Sequence, residues 1–145
     1  MALEKVLMRD VTAEINTGTE STPNWGEILG INAIERKTEA EKKDVADNKS
    51  GGNKDNRVTA RGETWTLKGD RLEDPATGAR DPGQEAVEAL SEAVGYADSV
   101  KQFRFTSPGG VSRTFLATAV VQPLAGGKEE FSTWEAEIEK CGAAS

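Results

Sequence analysis

The sequence predicts a mainly β protein, an antiparallel β-sandwich or barrel with one flanking α-helix, and three observations carry that prediction. Apolar and polar side chains alternate with a period of two in several stretches. Only one segment, at residues 81–95, carries the start and stop signals of a helix. Clusters of Gly, Pro, Asn and Asp punctuate the intervals between these segments. The alternation is cleanest in FSTWEAEIEK, residues 131–140, where Trp134, Ala136 and Ile138 fall on one side of an extended chain and Glu135, Glu137 and Glu139 on the other.

In chain order, residues 5–17 read as a strand, with Leu7, Val11, Ala13 and Ile15 on one parity and Asp10, Thr12 and Glu14 on the other. GTESTPN is a turn, and Trp25, Ile28, Ile31 and Ile34 then suggest a short turn followed by a second strand. Residues 39–56, EAEKKDVADNKSGGNKDN, are nearly free of apolar side chains and read as a long charged loop. RVTARGETWTLKG, residues 57–69, is rich in Thr, Val and Trp and reads as a strand or hairpin arm. A helix is predicted over residues 82–94: Asp81 caps it, Pro82 takes the first helical position, and Gln84 is placed to reach back to the cap. Val87, Leu90 and Val94, with Ala86 and Ala93, make its apolar stripe, Glu85, Glu88 and Glu92 face outward, and Gly95 supplies a left-handed stop. VKQFRFT places Phe103 and Phe105 on one side, and Pro108-Gly109-Gly110 is a turn. Residues 111–122 form a strand that is apolar on both parities in its second half, so both of its faces need cover. The expected core comprises Trp65, Val87, Leu90, Phe103, Phe105, Phe115, Trp134 and Ile138.

A length of 145 residues suits one domain, expected to span 1–145. The formal net charge of -7 argues against affinity for nucleic acid, which comes mainly from Lys and Arg on phosphates. The absence of histidine removes the commonest general base and the commonest zinc ligand, and a lone Cys141 allows neither an internal disulfide nor a thiolate cage. No apolar run is long enough for a membrane anchor, and MALEKVLMRD lacks the features of a secretory signal, so synthesis in the cytoplasm is expected. Counted from Asp47, a calcium-loop reading fails at Lys49, Gly51 and Val58. GETW at 62–65 ends like an Asp-box turn, but Val58 and Ala60 replace its polar residues. Glu135 and Glu137 are a conceivable glycosidase pair, with no apolar pocket or sugar platform to go with them, so a solvated face is the preferred reading. No catalytic residue, metal site or cofactor is assigned.

Three segments taken in order, RGETWTLKGDRLEDPATGARDPGQEAVEAL, VKQFRFTSPGGVSRTFLATAVV and GGKEEFSTWEAEIEKCG, resemble the tail tube (major tail) proteins of long-tailed bacteriophages and related phage-like particles. TPNWGEILGI and the charged stretch at 39–56 fit the same order, so the resemblance spans nearly the whole chain. It implies a virion protein, made and assembled in the host cytoplasm, whose copies form hexameric rings stacked into a tube that conducts DNA at ejection. It also implies a bore lined by Glu135, Glu137 and Glu139 with Asp10 and Glu14. Contacts between rings would then come from Glu41, Lys42, Lys43, Asp44, Asp47, Lys49, Lys54 and Asp55. The implied partners are the chain itself, a tape-measure protein, a tail terminator and tail-tip or baseplate proteins, with DNA only in transit. An acidic bore repels phosphate, so a genome passes without being captured by ion pairs. The alternative is a small acidic β-sandwich binding module that does not self-assemble.

Overall fold

A computed structural model describes residues 3–46 and 51–142. Seven strands, β1 (Thr12–Asn16), β2 (Trp25–Glu27), β3 (Ile31–Asp44), β4 (Asn56–Asp70), β5 (Lys101–Thr106), β6 (Ser112–Ala125) and β7 (Thr133–Cys141), make one sheet. Its order is β2-β1-β5-β6-β7-β4-β3, with every pairing antiparallel. One helix, α1 (Pro82–Glu92), lies against it. The fold is thus mainly β with a single helix, and its two layers come from one sheet curling over itself. Trp65 on β4 stacks on Phe105 of β5 with ring centroids 4.0 Å apart, although β6 and β7 separate those strands in the sheet.

The curl encloses one apolar cluster. Ala13 and Ile15, Phe103 and Phe105, Phe115, Ala117 and Ala119, Trp134, Ala136 and Ile138, and Trp65 and Leu67 all point inward, each from alternate positions of its strand. Val87 and Leu90 of α1 close the cluster, so every residue expected in the core is buried. Helix α1 is held at its start. The Asp81 side chain accepts hydrogen bonds from the backbone N–H of Gln84 and of Leu29, both at 3.1 Å. Gly83 fits only because it lacks a side chain: a Cβ there would stand 2.2 Å from the Glu27 carbonyl oxygen.

Four sequence expectations are corrected. Residues 5–11 are not strand, because β5 ends at Thr106 opposite Thr12 and offers no further ladder; Met8–Asp10 is a 3₁₀ turn instead. The short turn expected around Trp25 is edge strand β2, paired to β1. Residues 39–44 and 56, expected within a loop, are strand, since β3 and β4 satisfy each other's backbone groups without needing an apolar face. Helix α1 stops at Glu92: Ala93 is extended, which turns Val94 out to 85% exposure.

Candidate functional site

The sheet has a covered face and an open one. On the open face, register sets Glu135 between Lys68 and Gln122, Glu137 between Thr66 and Val120, and Glu139 between Thr64 and Thr118. All three glutamates are exposed, and none joins an ion pair among the described residues. Successive carboxylates on one side of a strand stand roughly 7 Å apart, within the Debye length of about 8 Å at physiological salt, so their potentials add. Val120, in the middle of this face, is 66% exposed.

The other two expected bore residues stand differently. Glu14 shares the open face but is held by Arg104, whose Nη2 and Nε donate to its two oxygens at 2.8 and 3.1 Å, while the same guanidinium lies 4.4 Å over the Trp25 ring. Its charge is neutralised where it sits. Asp10 belongs to the 3₁₀ turn ahead of β1 and is outside the parity of the strand.

Beyond Thr64 opposite Glu139, β4 no longer pairs with β7, so over residues 37–44 and 56–63 the strand ladder joins β3 and β4 alone. They form a two-stranded arm roughly 25 Å long at about 3.3 Å per residue. Glu41, Lys42, Lys43, Asp44 and Lys54 are exposed along it, and Asp55 is half-buried at its end. Lys43 lies directly opposite Arg57, a like-charge pairing relieved by the Asp55 carboxylate, which takes Arg57 at 3.2 Å. Asp47 and Lys49 lie outside the described residues. Away from its root at Glu63, residues 39–44 and 56–61 are all exposed, and isolated hairpins are marginal in water.

At the root of the arm sits a group that strand parity places inward but that attracted no role in the sequence. Glu63 is 3% exposed. Its carboxylate accepts from Arg36 on β3, from Arg113 Nε on β6 at 2.8 Å, and from Trp65 Nε1 at 3.1 Å. Burial pushes its pKa up, but the bonds from Arg113, Trp65 and Arg36 outweigh burial and lower it from 4.5 to about 2. Gln84, expected to reach back to its own cap, serves as a second tie: its Nε2 donates to the carbonyls of Leu29 and Asp70, both at 2.9 Å, and its Oε1 accepts from Leu72 N–H at 3.2 Å. It is fully buried. Among the described residues no cluster of three or more metal-ligating side chains occurs, and no helix is long and apolar enough to cross a membrane.

No protein-family model and no curated protein matches the sequence. Solved structures do. A chain in the tail of an empty gene transfer agent particle, refined as a helix with C6 symmetry, superposes with a TM-score of 0.72 at 17% identity over 96% of both chains. A chain of the native gene transfer agent virion gives 0.69 at 15% identity over the same shares. A chain of the six-fold symmetrised baseplate of the anti-feeding prophage gives 0.56 at 11% identity, over 100% of this chain and 96% of that one. The fold is therefore one used in the tails and baseplates of phage-like particles.

Proposed function

We propose that the chain is a structural virion protein whose copies close into hexameric rings and stack into a tail tube, a conduit for DNA at ejection. The observation that carries this reading is the open face: a full sheet surface with a row of unpaired carboxylates, flanked by edge strands β2 and β3. A lone subunit leaves those edges ready to pair, and a closed ring consumes them. The fold shared with a chain from a C6 helical tail supports the same geometry.

In such a ring Glu135, Glu137 and Glu139 face the bore and repel the phosphates that pass. Glu14, already paired to Arg104, adds little charge there. The β3–β4 arm reaches the adjoining ring, where Glu41, Lys42, Lys43, Asp44, Lys54 and Asp55 meet charges of both signs and the arm gains the packing it lacks alone. The tube takes a tape-measure protein within, and a terminator and tip or baseplate proteins at its ends. Its role is mechanical, with no catalysis. Negative-stain microscopy of the purified protein across a concentration series tests the reading: uniform tubes or stacked rings are expected, and a particle that stays single-copy at every concentration contradicts it.

A further inference from the structure

A groove of about 580 Å³ opens beside Trp65, walled by Met8, Ile34, Phe105 and Val111 and rimmed by the guanidiniums of Arg36 and Arg113. Those two side chains remain 43% and 38% exposed while sharing the single Glu63 carboxylate. At the other end of β6, Leu124, the strand's penultimate residue, is 69% exposed, and the turn into β7 carries Phe131, 90% exposed. Strand β6 starts at the groove with Ser112 and Arg113 and ends at the turn with Leu124 and Ala125, so the two features lie roughly 40 Å apart at about 3.3 Å per residue. An apolar knob at one end and an apolar groove at the other are complementary without being self-complementary.

We infer that the β6–β7 turn of one copy docks in the Trp65 groove of a second copy in the next ring, a head-to-tail contact whose repetition builds length. The charges agree. Glu129 and Glu130 immediately precede Phe131 and meet Arg36 and Arg113 at the rim. The inference deepens the tube reading, on which it rests, by naming an axial contact separate from both the β3–β4 arm and the bore.

Two exposed substitutions test it without touching the core: Phe131→Asp spoils the knob and leaves the groove, and Val111→Asp spoils the groove and leaves the knob. Circular dichroism of each is expected to match the parent. Each variant alone is expected to need a protein concentration higher by roughly tenfold or more before filaments form, from the lost burial of one large side chain. Mixed in equal amounts, the two retain one intact contact and are expected to give a doubled species in sedimentation velocity that neither gives alone. Filaments from either variant at the parent's concentration, or a mixture that behaves as its components, would overturn the docking and leave the tube reading standing. A parent that forms neither rings nor filaments overturns both.

Discussion

Glu63 is a buried carboxylate with three donors around it, and its environment has a definite sign in pH. Its folded pKa of about 2 lies below the ordinary 4.5, so the ionised form is favoured by folding. The stabilisation is fully present above pH 4.5 and drains away as the pH falls toward 2. Glu63→Gln leaves Arg36 and Arg113 without their counter-charge and is expected to cost about 2 kcal/mol in urea unfolding at neutral pH. The gap between parent and variant should narrow across that acid window; a gap of constant size down to the acid limit would show that the charge is not what matters. Sequence parity already puts Glu63 on the same side as Trp65 and Leu67, a buried acid in plain view. Its partners were out of reach, because Arg36, 27 positions away, arrives through the pairing of β3 with β4, and Arg113, 50 positions away, through the curl of the sheet.

At the scale of elements, what local chemistry decides could be read and what pairing decides could not. Helix α1 announces itself through Asp81 and Pro82, and β7 through its strict alternation, because caps and parity are written within a few residues. The β3–β4 arm has no apolar face to announce it; its strands exist because each supplies the other's ladder. Residues 5–11 erred the other way, with a strand-like pattern and no partner strand beyond Thr106. The arm's dependence on a neighbour is measurable by amide exchange. In the isolated subunit, the N–H groups of residues 39–44 and 56–61 are expected to exchange at least about tenfold faster than those of 64–69, which β7 also holds. On assembly they should become protected. Equal protection before and after would mean that the arm is finished within one chain and touches no other.

On the scale of the whole molecule, the covered face explains stability and the open face is left for function. The apolar cluster needs α1 and the curl of the sheet, and no described residue covers Glu135, Glu137 and Glu139. The parity of those glutamates was legible from ten residues of sequence, whereas the loss of Asp10 to a 3₁₀ turn and of Glu14 to Arg104 depended on where β5 ends and on which side chain faces which. The account's central claim is that the open face turns toward a bore. A helical reconstruction of the assembled protein by electron cryo-microscopy tests it most directly. The account predicts that the β7 glutamates line the central channel with α1 on the outer side of the wall; a reconstruction with those glutamates on the outer surface of the tube would contradict it.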